Sequence, residues 1–478
     1  MKADRKMDFD NSSTGSLFVR LFFPTLLGMF FGSVMNITDG IFVGRKVGSD
    51  ALASINIAAP VFMIAGGLAM MFGIGASVIA SIALAQNDPK KANGELTRAI
   101  VTSSTIILLL SLLIMCMREP FARLFGSTPR LLPLAVEYLD WTAPFLVFNC
   151  LMFSSMFYIR LDGAPRYAMA AEIVPALLNI LLDWIFIYPL DMGIKGAAIA
   201  SSLCGFVGAL MGGIYLLFYT KRIHLCRLQE AFGRGSHALR SLWQQAKVGV
   251  SGLFGEISIS LMLVTGNYVF GHYMGEAGMA AYSIVCYCSP LLFMIHSSVA
   301  NSMQPIVSYD YGRHRSDRVK STLSLALLVS LSCALLTAGG ILLFCRPLVS
   351  LFVDSGNPTY RIAVEGIPYF TTGFLFLGFN IVMIGLFQSL KQAGPATLFT
   401  LVRGYLFLVL CFVLLPLLLG NKGAWLAIPA SEGLTALSIA IYLIAMRLRR
   451  KQKQRIIPQR VLSFTTEEKE EEGNEVEK

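Results

Sequence analysis

The amino-acid sequence repeats itself at an offset of 227 residues. Three separate groups of residues share this offset: Gly44 and Gly48 with Gly271 and Gly275, Pro189 with Pro416, and Gly193-Ile-Lys-Gly-Ala197 with Gly420-Asn-Lys-Gly-Ala424. A common offset in three places is hard to obtain by chance. We therefore expect two halves that share one fold, and this constrains the architecture more than any single motif does.

Most of the chain is apolar enough to lie in a lipid bilayer. Hydrophobic residues make up 55% of the 478 residues and charged residues only 14%, with a mean hydropathy of +0.64, whereas soluble domains are about a quarter charged. A membrane-spanning helix needs roughly 20 apolar residues. The sequence thus predicts an all-α integral membrane protein with twelve transmembrane helices at about 17–43, 51–85, 97–117, 138–159, 168–190, 196–220, 243–270, 279–308, 321–344, 361–390, 395–419 and 423–446.

Most charged residues lie between the spans, and the excess of Lys and Arg alternates from loop to loop. Loops two, four, six and eight and the two ends of the chain are rich in Lys and Arg, whereas the odd loops are poorer in them or mixed. By the positive-inside rule, the even loops and both termini are cytoplasmic, including Lys90, Arg234 and Arg313. The formal net charge of +10 is accordingly interpreted as loop anchoring and not as a sign of a nucleic-acid partner.

The spans divide the chain into two six-helix bundles. An even number of spans in each half means that both halves enter the membrane in the same direction, so a pseudo-two-fold axis along the membrane normal should relate them. The Glu-rich residues 461–478 are typical of a disordered segment. The predicted divisions are a cytoplasmic N-terminus 1–16, an N-terminal lobe 17–220, an inter-lobe linker 221–242, a C-terminal lobe 243–446 and a charged cytoplasmic tail 447–478.

Span five carries an amide and a carboxylate in Asn179-Ile-Leu-Leu-Asp183. Their i,i+4 spacing places both on one face of a helix, and Asp183 lies about 22 Å from the start of the span at the helical rise. No Lys or Arg lies within one turn to neutralise it. Because ionisable groups inside a bilayer are costly and usually functional, we interpret the pair as a proton or cation site. The alternative is a structural carboxylate bonded to neighbouring helices.

Two further acids fall within spans. Asp39 lies near the outer end of span one, which runs in the same direction as span five, so Asp39 and Asp183 can approach and share a proton or a cation. The alternative is an interfacial pair of Asp39 with Arg45. Glu256 lies roughly 20 Å into span seven and is predicted to act in coupling or in attracting cationic substrates. None of these acids recurs at the 227-residue offset, which indicates two chemically different lobes.

Other polar groups within the spans are weaker candidates: Glu432, Arg403 and His296. A lone histidine on an apolar helix is more often a satisfied core residue than a functional one. Pro24 removes a backbone hydrogen bond from span one and is a candidate hinge.

The motifs of soluble enzymes do not occur in this sequence. It contains no P-loop, no His-Glu-x-x-His and no credible nucleophile elbow. We therefore expect no enzyme activity and no cofactor, and no metal ion beyond Na⁺ at Asp39, Asn179 and Asp183. No soluble segment is long enough for a nucleotide-binding domain, so any transport would use an ion gradient or be passive.

Several short segments together resemble one transporter family. They are Leu21-Phe-Phe-Pro24, Asp39-Gly-Ile-Phe-Val-Gly44-Arg45, Leu52-Ala-Ser-Ile-Asn-Ile-Ala-Ala-Pro60, Asp162-Gly-Ala-Pro165, Asn179-Ile-Leu-Leu-Asp183, Gly193-Ile-Lys-Gly-Ala-Ala198 and Gln304-Pro-Ile-Val-Ser-Tyr-Asp-Tyr-Gly312. In this order and spacing they resemble the multidrug and toxic compound extrusion (MATE) family, over roughly residues 16–446. The resemblance implies two six-helix lobes around a central cleft. It also implies export of varied, often cationic lipophilic compounds by antiport with H⁺ or Na⁺.

The resemblance extends to individual residues of the N-terminal lobe. Asp39 matches the family's acid in helix one, and Asn179 and Asp183 match its amide and acid in helix five. Ser201 or Ser202 would supply the hydroxyl that helix six adds to that cation site. Pro24 matches the helix-one proline that is associated with bending.

In the C-terminal lobe the resemblance is less complete. Glu256 resembles the helix-seven acid of some branches, which pair it with an aspartate in helix ten. This chain has no acid between Phe370 and Leu390, so it lacks the second acid of that pair.

The expected partners and location follow from this interpretation. The partners are small-molecule organic cations and drugs together with membrane lipids, without nucleic acid, and the protein is expected to be a monomer. The expected location is the inner or plasma membrane, with many passes. The polar residues 1–16 and the long first apolar stretch are not typical of a cleavable signal peptide, so span one is expected to be an uncleaved targeting signal.

Three other functions fit a chain of this class less well. A flippase for lipid-linked oligosaccharide or peptidoglycan precursors would need several basic residues inside the spans to hold a pyrophosphate, and Arg403 is the one candidate well inside a span. A major facilitator transporter would carry a Gly-rich loop containing Asp and Arg between spans two and three, where this chain has Gln86-Asn-Asp-Pro-Lys-Lys-Ala-Asn93. A membrane receptor would need a ligand-binding or output domain.

Overall fold

The computed structural model of the protein describes residues 7–233 and 235–475, and the regular secondary structure of this part of the chain is entirely helical. The helices are α1 (Thr14–Phe42), α2 (Ser49–Ala85), α3 (Pro89–Cys116), α4 (Arg118–Leu124), α5 (Leu132–Thr142), α6 (Leu146–Asp162), α7 (Pro165–Ile187), α8 (Gly193–Ile214), α9 (Leu228–Phe232), α10 (Gly235–Gly312), α11 (Ser316–Leu343), α12 (Cys345–Ser350), α13 (Pro358–Thr371), α14 (Phe374–Ser389), α15 (Ala393–Leu401), α16 (Leu408–Leu419) and α17 (Asn421–Glu475). Short π-helical and 3-10 segments adjoin them at Val43–Val47, Ala143–Phe145, Tyr215–Tyr219 and Val402–Phe407.

Local sequence sets where several helices begin. The Ser13 hydroxyl precedes α1 and accepts a hydrogen bond from the Ser16 N–H at 3.3 Å. The Asp88 carboxylate precedes α3 and accepts one from the Lys91 N–H at 3.0 Å. Helix α3 also begins with Pro89, whose fixed φ suits the first turn, where no N–H is needed.

The repeated glycines adopt related backbone conformations in the two halves. Gly48 and Gly275 have φ of 114° and 65°, and Gly193 and Gly420 have φ of 59° and 58°. Glycine adopts positive φ without the steric penalty that other residues incur. Each of these glycines lies where one helix gives way to the next, so the repeat in the sequence preserves the turns between spans.

The apolar helices account for the twelve predicted spans. Among the described residues, ten helices are long and apolar enough to cross a membrane, and the pair α13 and α14, bent by 46°, makes an eleventh. Helix α10 contains two predicted spans, 243–270 and 279–308, on either side of Gly275, where φ 65° and ψ −160° interrupt the helix. The prediction of an all-α, twelve-helix membrane protein is confirmed.

The helices pack as two bundles. In the first bundle α1 packs on α7, α7 on α8, and α2 on α3 and α6. In the second, α10 packs on α11, α14 and α15, and α16 on α17. The bundles meet where α1 and α2 contact α10. Leucines on the outer faces, such as Leu109, Leu336 and Leu418, are 62%, 76% and 76% exposed, as expected of helices that face lipid.

The N-terminal segment and the even-numbered loops gather at one end of the molecule. Arg222 donates to the Met7 carbonyl oxygen, and Arg318 donates to the Phe9 carbonyl oxygen at 3.1 Å. Arg315 forms an ion pair with Asp10 at 3.0 Å. We name this end, formed by residues 7–12, 86–88, 163–164, 220–227 and 313–315, the basic end. Lys2, Arg5, Lys6 and Arg234, which the charge pattern also assigns to it, lie outside the described residues.

The two lobes are closely packed near the basic end. Gly249 of α10 lies so close to the Met71 backbone of α2 that a side chain would not fit there. Nearly three turns further along α2, the Ser81 hydroxyl donates to the Pro305 carbonyl oxygen at 3.2 Å. The half of α2 nearer the basic end is therefore held against α10.

Helix α17 continues beyond span twelve into the tail and is helical up to Glu475. The Glu-rich composition of 461–478 led us to expect disorder. Glu, Lys, Gln and Arg are also good helix formers, and in this segment that preference prevails. Residues 476–478 lie outside the described part of the chain.

Candidate functional site

Helix α7 has one face toward lipid and one polar face toward the interior. Leu177 and Leu181 on the outer face are 50% and 52% exposed, whereas Asn179 and Asp183 are 1% and 0% exposed. The helical period alone separates these two faces. The i,i+4 spacing thus places the amide and the carboxylate side by side on the buried face.

The polar atoms of this face have no protein partner. Both carboxylate oxygens of Asp183 and both side-chain polar atoms of Asn179 are buried and make no hydrogen bond within the described part of the chain. Buried polar groups are nearly always paired, and in the hydrocarbon region each unpaired group costs several kcal/mol. Such an arrangement is expected where the missing partner is a proton or a cation.

Helix α1 brings Asp39 to the same level. It packs along α7, and the carboxylates of Asp39 and Asp183 interact electrostatically. The Oδ1 atom of Asp39 is also buried without a partner. The alternative pairing with Arg45 does not occur: among the ion pairs of the described residues none includes Asp39, while Lys46 pairs with Asp191 at 3.1 Å.

Two residues that the sequence analysis missed also belong to this site. The buried Tyr138 of α5 interacts with both Asp39 and Asp183, and the Cys204 thiol of α8 lies beside Asn179. Neither residue stands out in the sequence, because both come from other spans and are brought in only by the packing of α5 and α8.

The two serines proposed for the site have different surroundings. The Ser202 hydroxyl donates to the Trp141 carbonyl oxygen at 2.9 Å and thereby joins α8 to α5. Ser201 lies within hydrogen-bonding reach of the Tyr138 hydroxyl. Of the two, Ser201 is therefore the one linked to the acids, through Tyr138.

Chemically, the site is a set of oxygen ligands contributed by α1, α5 and α7. Asp39 and Asp183 supply carboxylate oxygens, Asn179 an amide oxygen and Tyr138 a hydroxyl. Hard cations bind oxygen ligands, and two neighbouring carboxylates readily share a proton. The geometry suits either H⁺ or Na⁺.

Glu256 lies apart from this cluster, on the face of α10 that meets α2. On this face Leu253 contacts Gly67 of α2, and Ser260 contacts the Met63 sulfur. Glu256 falls between these two contacts and is partly buried. No charged group of the described residues interacts with its carboxylate. The structure therefore places an unpaired acid between the two lobes.

The weaker candidates of the C-terminal lobe, Glu432, Arg403 and His296, each have a hydrogen-bond partner. Arg403 Nε donates to Glu432 Oε1 at 2.8 Å, and Asn380 Nδ2 donates to Glu432 Oε2 at 2.7 Å. His296 Nδ1 shares a hydrogen bond with the Ser330 hydroxyl at 2.9 Å. These contacts agree with the weaker standing of Glu432, Arg403 and His296 as candidates. Asn380, which the sequence analysis missed, completes the network.

Pro24 lies inside α1, which is helical from Thr14 to Phe42. Its position leaves the Arg20 carbonyl oxygen without the usual helical donor, because proline has no N–H. Thr25, the next residue, has a buried hydroxyl without a partner. The backbone of α1 accordingly lacks one helical hydrogen bond about 15 residues from Asp39, some four turns away.

Comparisons with known proteins agree with this fold. The MatE family model matches the chain twice, over residues 24–185 and 253–413, which confirms the internal repeat. The multidrug export protein MepA of Staphylococcus aureus (strain MRSA252) is 22% identical over 458 residues, covering 94% of this chain and 98% of that protein. MepA of Staphylococcus saprophyticus is 23% identical over 462 residues, with the same shares.

Solved structures share the same architecture. An outward-facing multidrug resistance MATE family transporter of the MOP superfamily matches with a TM-score of 0.86 and 21% identity, covering 95% of this chain and 100% of that chain. A MOP superfamily transporter from Pyrococcus furiosus, described as having a binding pocket of reverse polarity, matches with a TM-score of 0.82 and 21% identity, covering 94% and 99%. These similarities establish the fold.

Proposed function

The chain belongs to the MatE family of membrane transporters, and from this premise we propose that it exports varied, often cationic lipophilic compounds in exchange for H⁺ or Na⁺. The observation that carries the proposal is the cluster of Asp39, Asn179 and Asp183, which has buried polar atoms without a partner among the described residues. The relatives named multidrug export proteins support the substrate class.

In the proposed mechanism the cation controls the distance between α1 and α7. When Asp39 and Asp183 are both charged, their repulsion favours separation of the two helices. A proton or Na⁺ between them removes that repulsion and favours close packing. Since a ligand shifts a conformational equilibrium only through different affinities for the two states, this difference is what couples the ion to transport. Pro24 supplies the hinge in α1.

Glu256 is proposed to act on the substrate. Its carboxylate lies between α10 and α2, where the lobes face each other, and has no charged partner in the part of the chain that the structure describes. A negative charge in a site of low dielectric attracts cations more strongly than it would in water. Glu256 would thus favour cationic compounds, or would itself be a coupling group if it carries a proton during transport.

The proposed orientation places the basic end in the cytoplasm, together with both termini, in the plasma membrane. Lys and Arg are enriched in cytoplasmic loops, and the structure gathers the even loops at one end. The lobes would comprise residues 17–220 and 243–446, joined by the linker 221–242, and would rock about their interface. The transporter is proposed to work as a monomer without a cofactor.

A precursor flippase is the alternative that the observations favour less. Such an activity needs cationic groups that are free to hold a pyrophosphate. Arg403, the candidate identified from the sequence, is held by Glu432 at 2.8 Å.

Transport in inside-out vesicles with an imposed H⁺ or Na⁺ gradient tests the proposal. A lipophilic cationic dye such as ethidium should accumulate in vesicles with the protein when one of the two gradients is present, and not without a gradient. If the dye accumulated to the same level without a gradient as with the H⁺ gradient or the Na⁺ gradient, ion coupling would be contradicted. Absence of accumulation under every condition, with the protein present in the membrane, would contradict export of cationic compounds.

A further inference from the structure

A second carboxylate, that of the partly buried Glu172, lies on the same face of α7 as Asp183, nearer the basic end. Glu172 precedes Asp183 by 11 residues, and Gly28 precedes Asp39 on α1 by the same interval. The carboxylate of Glu172 lies directly against Gly28, so that a methyl group there would overlap Glu172 Oε2. Helices α1 and α7 thus run parallel and in register, with two acidic levels about 16 Å apart at the helical rise.

Only one of the two carboxylate oxygens of Glu172 has a hydrogen-bond partner among the described residues. Arg160 Nη2 donates to Glu172 Oε1 at 2.6 Å, and Arg160 is the charged group that interacts with this acid. Glu172 Oε2 and Arg160 Nε are both buried without a hydrogen-bond partner in the described part of the chain. An ion pair that served only to fasten α6 to α7 would be expected to satisfy these atoms as well.

Other unpartnered polar atoms lie beside it. Thr25, on the face of α1 that carries Gly28, is 1% exposed, and its hydroxyl has no partner among the described residues. On α7, Pro175 has no N–H to donate to the Ala171 carbonyl oxygen. A carboxylate oxygen, a hydroxyl and a freed carbonyl thus lie on α1 and α7 within about one turn of the contact between Glu172 and Gly28.

The polar face of α7 connects the two levels. Asn179, two turns beyond Glu172 and one turn before Asp183, is 1% exposed and its amide has no partner. The opposite face of α7 is exposed at Leu177 and Leu181. Polar atoms without partners among the described residues thus follow the contact between α1 and α7 from Asp183 toward the basic end.

We propose that Glu172 is a second binding site for the coupling cation, which it takes up on Oε2 after the cation leaves Asp39 and Asp183 and before release at the basic end. This inference rests on the proposed function. The fixed charge of Arg160 on the other oxygen weakens cation binding at this level, which suits a site of release. It also leaves Glu172 with a charged partner once the cation has left.

The test compares two transport modes in proteoliposomes. Export of ethidium driven by a gradient needs passage of the cation, whereas exchange of internal for external ethidium without any gradient does not. H⁺ and Na⁺ gradients are applied in separate arms to identify the cation. Glu172→Gln should lower gradient-driven export at least about 10-fold and leave the exchange rate near that of the wild type.

Exchanging Arg160 and Glu172 with each other distinguishes a site on the path of the cation from an ion pair that only holds two helices together. The double variant Arg160→Glu and Glu172→Arg keeps an ion pair between α6 and α7 but removes the carboxylate from the contact with α1. Gradient-driven export should stay low in it. Recovery of export in this variant, or equal loss of export and exchange in Glu172→Gln, would show that the pair only fastens the helices.

A pair of glycine variants tests the position of the carboxylate without removing it. Gly28→Ala should displace Glu172 Oε2 and lower gradient-driven export with exchange retained. Gly32→Ala, one turn away, is the matched control, since no atom lies within 4 Å of its added methyl group, and should behave as the wild type. Wild-type export in both Glu172→Gln and Gly28→Ala would overturn the inference. If the wild type itself shows no export in either gradient, the proposed function fails instead.

Discussion

Gly193 and Gly420 are 227 positions apart and have nearly the same backbone angle, with φ of 59° and 58°. Each lies at the entry to the last span of its half, after a loop of odd number. Equivalent turns at equivalent places mean that the two halves cross the membrane in the same direction. The even loops are then on one side and the odd loops on the other.

This relationship predicts the outcome of cysteine labelling. Cysteines introduced at Lys90, Arg234 and Arg313 should react with a membrane-impermeant maleimide only from the cytoplasmic side. Cysteines at Asp191 and Lys422 should react only from outside. The exposed native Cys116 is first replaced, and the resulting parent protein is the control. Reaction of any of these positions from the opposite side would contradict the topology.

Asp183→Asn should reduce gradient-driven export to the level of vesicles without the protein, with normal amounts of protein in the membrane. The substitution keeps the size of the side chain but removes the charge that a proton or Na⁺ would neutralise. Ethidium export in inside-out vesicles measures the effect. Glu365→Gln is the control, since Glu365 is an exposed carboxylate paired with Arg361 at the surface. Export by Asp183→Asn at the wild-type rate would show that this carboxylate is structural.

Glu256→Gln should separate substrate attraction from ion coupling. If Glu256 attracts cations, the apparent affinity for ethidium should fall about 10-fold, equivalent to 1.4 kcal/mol, while neutral or zwitterionic substrates are exported as before. If it is a coupling group, export of every substrate should be lost. Concentration dependence of export for one cationic and one neutral substrate distinguishes the two results. Unchanged export of both would remove Glu256 from the proposed mechanism.

Arg403→Leu should destabilise the C-terminal lobe by about 3–5 kcal/mol, because it leaves the buried Glu432 charge without its partner. The side chains of Arg403 and Glu432 are only 16% and 8% exposed. The double variant Arg403→Leu and Glu432→Leu should recover much of this loss. Thermal unfolding of the purified protein in detergent measures both. Arg361→Leu, which breaks an exposed ion pair, should leave the unfolding temperature unchanged. If Arg361→Leu lowered the unfolding temperature as much as Arg403→Leu does, the effect would be a general one of losing an arginine.

Much of the fold follows from the sequence, because its causes are local. A helix must satisfy its backbone hydrogen bonds internally to cross a bilayer, so apolar runs of sufficient length show where the spans lie. Glycines that need positive φ mark the turns between them, as at Gly48 and Gly275. The faces of a single helix are likewise a local property, and the burial of Asn179 beside Asp183 follows from their spacing.

The tail and the serines show where such reasoning fails. The composition of the tail favours disorder and helix alike, and α17 extends to Glu475. Nothing local distinguishes Ser201 from Ser202. Their different partners depend on which way α8 faces α5, and Ser202 is bonded to the Trp141 backbone at 2.9 Å.

The sequence by itself determined the helical class of the protein, its duplication and the acids that lie within its spans, since hydrophobicity, turn geometry and helical period act over short stretches of chain. Only the tertiary structure decided which polar groups have partners. Arg403 and Asn380 both donate hydrogen bonds to Glu432 in the C-terminal lobe. In the other lobe Asp39 and Asp183 have oxygens without a partner among the described residues. Pairing depends on distances between residues far apart in the chain, and these are set by how the helices pack.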